Sequence, residues 1–306
     1  MKRFSSIVNP KSGAGAGIAL MLLACLVFSL NDTLGKWLVA TYTVGQLLLI
    51  RSAAAMLILL PFLLRREALA EFSAAPRPRL QILRVVLSSV ESALFYWAVV
   101  YLPLADVVTF YLAGPIFVTA FSALLLKEQV GWRRWSAVLA GFAGVVIAMR
   151  PSAASFSWPA LIALTGCVSF ALLMIATRAV RGTSDLVLVT GQMAGALVLG
   201  IVMAPIGWVS PSARDFALLG LLGVVAMFAH VCVNRSLKLA PASVVVPYQY
   251  TFILWAIVFG YFVFGDVPDA MLLTGAAIIV AAGIFIFRRE QVRAVQNDAG
   301  IPPPAA

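Results

Sequence analysis

The chain has 306 residues, of which 62% are hydrophobic and 11% charged, whereas a soluble domain carries about 25% charged residues. That excludes an ordinary soluble protein and predicts an all-α integral membrane protein. The net charge of +10 reads as the basic collar that membrane proteins keep on their cytoplasmic side, and no nucleic-acid-binding motif accompanies it.

Crossing a bilayer takes roughly 20 apolar residues. On that rule the sequence predicts ten spans, near 15–36, 44–64, 80–101, 104–126, 133–149, 158–178, 186–207, 214–236, 242–264 and 270–287. Lys2, Arg3 and Lys11 resemble the start of a secretory signal. The apolar run behind them carries Asn31 and Asp32 and lacks a small-x-small cleavage site, so a retained first helix is expected. Pro61, Pro103, Pro151, Pro205, Pro241 and Pro268 fall at or near span ends, where a missing N–H is tolerated. Residues 291–306, ending in Ile-Pro-Pro-Pro-Ala-Ala, read as a disordered tail. Cys25, Cys167 and Cys232 are odd in number and lie in apolar runs, which favours small core residues over disulfides. No metal-ligand spacing occurs, and neither metal nor cofactor is expected.

Placing the N-terminus in the cytoplasm puts 18 basic residues on that side. They are Lys2, Arg3, Lys11, Arg65, Arg66, Arg77, Arg79, Arg84, Lys127, Arg133, Arg134, Arg178, Arg181, Arg235, Lys238, Arg288, Arg289 and Arg293. Only 3, Lys36, Arg150 and Arg214, fall outside, with Arg51 within a span. By the positive-inside rule both termini are cytoplasmic. The chain also contains itself twice. Leu102-Pro103-Leu104-Ala105-Asp106 answers to Leu239-Ala240-Pro241-Ala242-Ser243, 137 positions on. Ala24-Cys25-Leu26-Val27-Phe28 answers to Gly166-Cys167-Val168-Ser169-Phe170 and Lys36 to Arg178, 142 on. Glu128 answers to Asp266, Gly144 to Gly283, and Pro61 to Pro205. The predicted units are therefore 1–150 and 151–290, five spans each. An odd number turns the second copy upside down, so two inverted five-helix repeats are expected around a central cavity, as in secondary transporters.

The chain resembles the drug/metabolite transporter superfamily, in its branch with two EamA domains. The residues that carry the likeness are Tyr101-Leu-Pro-Leu-Ala-Asp106, Gly114-Pro115-Ile116-Phe117, Lys127-Glu128-Gln129-Val130, Arg133-Arg134-Trp135, Gly141-Phe-Ala-Gly144, Leu239-Ala-Pro-Ala-Ser243 and Gly265-Asp266. The resemblance covers nearly the whole chain. It implies a basket in which spans 1–4 and 6–9 line a cavity and spans 5 and 10 lie outside. It also implies export of small metabolites, as in YddG-type amino-acid exporters.

Ionisable groups at membrane depth are costly and mark either a partner or a task. Glu91 is central in the third span, on a stripe with Arg84, Ser88 and Phe95 and beside Ser92. It either meets a substrate ammonium or a proton, or pairs with Arg51. Arg51 either receives a substrate carboxylate or neutralises Asp32 or Glu91. Asp32 and Lys36, four residues apart, are candidates for an ion pair or gate. Asp106 suits a helix cap. His230, the only histidine, shares a face with Met227 and Asn234 and is a candidate proton carrier with Glu91. Tyr96, Trp97, Tyr111, Tyr248, Gln249, Tyr250 and Trp255 supply aromatic and amide surface. Of these, Tyr96, Tyr111, Tyr248, Gln249 and Trp255 join Glu91, Arg51, His230 and Asn234 as candidate substrate contacts. Gly114-Pro115 and Pro247 are expected to break spans four and nine, either freeing carbonyls towards the cavity or making simple kinks.

The expectation is a carrier of a bacterial-type inner membrane that exports a small polar metabolite, an amino acid by preference, through alternating access. It would act in the lipid bilayer as a monomer or weak homodimer, with proton coupling through Glu91 or His230. The alternative is uptake of a vitamin, nucleoside or other metabolite by the same fold. The remote alternative is an intramembrane enzyme, and neither Gly-x-Ser-x-Gly nor His-Glu-x-x-His occurs.

Overall fold

The computed structural model describes residues 10–102, 104–128, 130–149 and 158–264, and parts of 270–285. All described elements are helical: α1 Pro10–Val39, α2 Val44–Leu63, α3 Arg66–Ser73, α4 Pro78–Tyr101, α5 Leu104–Tyr111, α6 Gly114–Leu125, α7 Trp132–Met149, α8 Trp158–Ala179, α9 Asp185–Met203, α10 Ala213–Leu239 and α11 Ala242–Val245. A 3₁₀ turn, Val246–Thr251, follows α11 and leads into α12, Phe252–Phe259, and a π-helical turn, Gly260–Phe264. Short polar side chains start several helices by accepting an orphan backbone N–H. Thr43 does so for Gln46, Ser184 for Val187 and Ser212 for Asp215.

Among the described residues, seven helices are long and apolar enough to cross a membrane. The chain is a multi-pass membrane protein. The fourth predicted span is two pieces, α5 of 8 residues and α6 of 12. Pro115 has no N–H to offer the Tyr111 carbonyl one turn earlier, and its ring crowds that turn. The fifth has only a short apolar helical stretch, Trp135–Gly144. Most of the tenth, the Gly265-Asp266 turn, Pro103, Pro151, Lys2, Arg3, Arg150 and the 291–306 tail lie outside the described residues, as does the Asp106 side chain.

Packing follows a reciprocal scheme. Helix α1 lies on α10, α2 on α9, α4 on α8, and α6 on α11 and the 3₁₀ turn. In terms of the two units expected from the sequence, the first helix of each meets the third of the other, while second meets second and fourth meets fourth. Contacts along each pair give the directions. Gly17 meets Ser236 and Ala240 while Trp37 meets Arg214, so α1 and α10 are antiparallel. Gly45 meets Met203 and Gly200 meets Leu49, so α2 and α9 are antiparallel. Arg84 meets Thr177 and Leu94 meets Gly166, so α4 and α8 are antiparallel. Arg84 also meets Leu188 and Ser89 meets Gly195, so α4 runs parallel to α9. Helix α1 reverses into α2 through the turn at 40–43. Hence α1 and α4 run one way and α8 and α10 the other, and α2 opposes α9.

Backbones approach closely, as small residues permit in membranes. An added Cβ at Gly200 would stand 2.5 Å from Leu49 N, and one at Gly223 would stand 2.5 Å from Arg51 C. Helix α2 is thereby held tightly between α9 and α10, which fixes the depth of Arg51.

One assignment changes. Arg84 reads from sequence as part of the cytoplasmic collar, but it is fully buried, at 0% exposure. Its guanidinium donates to Thr177 Oγ1 at 3.0 Å, to the Leu188 carbonyl at 2.9 Å and to Asn234 Oδ1 at 3.4 Å. A residue near a span end is placed outside by hydropathy alone. Three acceptors from three other helices bring this one in.

Candidate functional site

A cavity of about 100 Å³ lies where the two halves meet. Helix α1 brings Phe28, Asn31 and Asp32 to it, α2 brings Arg51, and α4 brings Glu91, Ser92, Phe95 and Tyr96. The broken fourth span adds Tyr111, α8 adds Phe170, α10 adds His230, and the 3₁₀ turn with α12 adds Gln249 and Phe252. Helix α7 contributes no lining residue among those described.

Helix α4 packs on α8 and α9, and the Glu91–Tyr96 part of its stripe lines the cavity. Tyr96 fits against α1 only because position 35 is glycine, where a Cβ would sit 2.6 Å from Tyr96 Cε1. The Tyr96 hydroxyl accepts from Asn31 Nδ2 at 3.0 Å and from Arg51 Nη1 at 3.1 Å. The Arg51 guanidinium carbon lies 5.4 Å from the Tyr96 ring centroid, which adds a cation–π contact. Ser92 donates to Glu91 Oε2 at 3.3 Å, and Asn31 also reaches Asp32 Oδ1 at 3.5 Å. Phe95 stands edge-on to both Tyr96 and Tyr111, with centroids 5.4 and 5.2 Å away. The wall therefore combines two carboxylates, one guanidinium and aromatic faces. Arg51 Nε, Asn31 Oδ1 and Gln249 Oε1 are buried without a hydrogen-bond partner among the described residues. Buried polar atoms are normally paired, so these three leave bonding capacity for something in the cavity.

The two span breaks mirror each other. Tyr111 and Tyr248 are 137 positions apart, and Cys25 and Cys167 are 142 apart. The Cys167 thiol points at the Tyr111 carbonyl at 3.9 Å, and the Cys25 thiol at the Tyr248 carbonyl at 4.0 Å. Helix α8 thus supports the break after α5, and α1 the 3₁₀ turn after α11, each with a weak donor.

Of the residues singled out from sequence, Asp32, Arg51, Glu91, Tyr96, Tyr111, His230 and Gln249 line this one cavity. Asn234 sits behind it, buried, bonded to Gln192 and Arg84. Tyr248 packs in the core cluster of α1, α8 and α10, and Trp255 lies against that cluster and stacks on Phe259. Lys36 lines a second pocket with Trp37, Tyr42 and Asp215. Among the contributors that escaped the sequence reading are Phe28, Asn31, Phe170 and Phe252 on the wall and Gln192 behind it. Phe28 and Phe170 occupy matching positions in the repeat, a signal that was available. Gln192 is an amide inside an apolar span, and such an amide needs partners.

Polar ties flank the cavity along the helices. At one end Arg178 Nε lies 3.5 Å from Glu128 Oε1, Arg178 Nη1 donates to the Leu237 carbonyl at 2.7 Å, and Ala242 N donates to Glu128 Oε1 at 3.4 Å. Asp185 bonds Arg235 and Lys238 nearby, both at 2.6 Å. At the other end the Tyr42 hydroxyl donates to Asp215 at 2.7 Å, and Gln46 exchanges two hydrogen bonds with the Val209 backbone.

Comparison with known proteins agrees with this architecture. The model of the EamA-like transporter family matches residues 15–150 and 157–288. The S-adenosylmethionine uptake transporter of Rickettsia prowazekii is 26% identical over 90% of this chain and 93% of its own. The pseudopaline exporter CntI of Pseudomonas aeruginosa is 27% identical over 90% of this chain and 97% of its own. The riboflavin transporter of Rhizobium johnstonii is 28% identical over 96% and 97%. A solved crystal structure superposes with a TM-score of 0.68 over 92% of this chain and 99% of its own at 17% identity, which shows a shared fold.

Proposed function

This chain belongs to the EamA-like transporter family, the drug/metabolite transporter group, and from that premise we propose that it is a secondary carrier of an amino-acid-bearing metabolite. The observation that carries the reading is the cavity itself. Arg51 offers a bidentate donor to a carboxylate, Asp32 and Glu91 offer acceptors to an ammonium or other cation, and the aromatic faces suit both an apolar body and a positive charge. S-adenosylmethionine, the substrate named for the Rickettsia relative, has that combination of groups.

The proposed mechanism is alternating access by rocking of two inverted repeats, one within 1–150 and the other within 151–290, with five spans in each. The opposed courses of α1, α2 and α4 against α8, α9 and α10 support it, as do the mirrored breaks at Tyr111 and Tyr248. With Arg84 set aside as buried, 17 basic residues still fall on the proposed cytoplasmic side against 3 outside, which supports an inner-membrane carrier with both termini inside. Protons would couple through Glu91 or His230, titratable groups that both line the cavity.

We propose export as the working direction. Uptake is the second reading, favoured by the name of the Rickettsia relative. Counterflow in proteoliposomes tests the substrate class with labelled amino acids, S-adenosylmethionine and riboflavin. Exchange of amino-acid-bearing compounds alone is expected. Exchange of riboflavin with none of them would sink the reading. Right-side-out and inside-out vesicles then separate the two directions.

A further inference from the structure

Behind the cavity wall, four side chains form a hydrogen-bonded row whose direction is fixed by chemistry. Arginine has donors and no acceptor, so Arg84 Nη2 must donate to Asn234 Oδ1, at 3.4 Å. That leaves the Asn234 amide N–H to donate to Gln192 Oε1, at 3.0 Å. Gln192 then turns its own N–H towards His230 Nδ1, at 3.2 Å. An amide N–H can only donate, so Nδ1 must be bare and the ring proton must sit on Nε2. Arg84 is itself anchored by Thr177 and Leu188, and Phe28 sets the imidazole plane edge-on, with centroids 5.1 Å apart. With Nδ1 engaged in the row, Nε2 is the ring nitrogen left for the cavity that His230 lines.

We propose that Arg84, Asn234 and Gln192 are positioning residues that hold His230 as its Nε2–H tautomer. The cavity is thereby given a standing hydrogen-bond donor at this point. The ligand group it takes is an acceptor: a carboxylate, a carbonyl or a ring nitrogen. An imidazolium is disfavoured, because its second proton would sit on Nδ1 against the Gln192 N–H, so of the two groups proposed for proton coupling this row favours Glu91. The ligand half rests on the reading that this cavity is the transport site. The tautomer half stands on the hydrogen-bond row alone.

His230 is the only histidine in the chain, so ¹⁵N-histidine labelling of a protein purified without a histidine tag reports one ring. The wild-type spectrum is expected to show a bare Nδ1 and a protonated Nε2. Gln192→Glu places an acceptor opposite Nδ1, and the ring proton is expected to move to Nδ1. A wild-type spectrum with Nδ1 protonated overturns the proposal without need of any variant, and so does a Q192E spectrum unchanged from wild type. For the ligand half, Q192E is expected to raise the counterflow KM about ten-fold, the factor that goes with losing one hydrogen bond to a charged group. A reversed tautomer with an unchanged KM would overturn the ligand half. Wild-type protein that exchanges no amino-acid-bearing compound would count against the proposed function, while the spectrum still decides the tautomer.

Discussion

Two glycines on α10 make a matched pair of perturbations. A Cβ added at Gly220 would meet only Ala54 Cβ, at 3.6 Å, an ordinary contact. A Cβ added at Gly223 would drive into the Arg51 peptide, with Arg51 C at 2.5 Å and Cα at 2.9 Å. Restoring normal contact requires α2 and α10 to separate by about 1 Å, since cores are close-packed. Both Gly→Ala changes gain about 1 kcal/mol of helix propensity. Overpacking costs about 1–3 kcal/mol, so Gly223→Ala should fall below Gly220→Ala by that amount. At about 2–4 °C per kcal/mol, the expected gap in melting temperature is roughly 2–12 °C. The three free cysteines, Cys25, Cys167 and Cys232, are all buried, so a thiol-reactive dye reports unfolding in detergent. Gly223→Ala should also weaken substrate binding, because its clash is with the residue that presents a guanidinium to the cavity. Equal melting of the two variants, or a higher value for Gly223→Ala, would refute the packing described for α2.

Other outcomes follow from the same contacts. Glu91→Gln keeps shape and removes charge, and is expected to raise KM for an amino-acid-bearing substrate about ten-fold, as loss of a charge-assisted bond does; an unchanged KM argues against an ammonium at this position. Glu128→Gln weakens the partly buried tie to Arg178 by about 1 kcal/mol, so a cysteine placed in the cavity should react about five-fold faster from the membrane face at which the pair lies; no change in rate removes a gating role for the pair. Tyr42 donates to Asp215, and that carboxylate raises the phenol above its ordinary value. A raised folded value means the stabilisation is fully present below about pH 10 and is lost as pH rises through the folded value. Wild type should therefore melt above Tyr42→Phe at neutral pH and converge with it in strong base, and a gap that widens in base contradicts this.

Much of the fold is legible in the sequence because its signals are local. Spans are runs of apolar residues, and the breaks at Pro115 and Pro247 follow from a missing N–H. The repeat offsets bring Cys25 and Cys167, and Tyr111 and Tyr248, into register, and those are the groups that meet across the halves. Ionisable residues inside spans, Asp32, Arg51 and Glu91, meet in one cavity for the reason that made them conspicuous, the cost of charge in lipid. What escapes is decided by distant partners. Arg84 is drawn inward by Thr177, Leu188 and Asn234, from 93 to 150 positions away, and no window of hydropathy sees them. Trp255 sits on α12, which is apolar all round, so composition does not tell which face looks inward, and Tyr248 lies on a 3₁₀ turn, whose period of three differs from the α-helical spacing. Asn234 shares a face with His230 one turn away, yet it lies behind the cavity because Gln192 takes its side chain.

The central claim is that the cavity between the halves is open to each side of the membrane in turn. Ser92 lines it and is small, so Ser92→Cys in a background without other cysteines tests the claim with little disturbance. The expected result is labelling by a membrane-impermeant thiol reagent from both faces, slowed by a transported substrate. Labelling from one face only, with or without substrate, would contradict it.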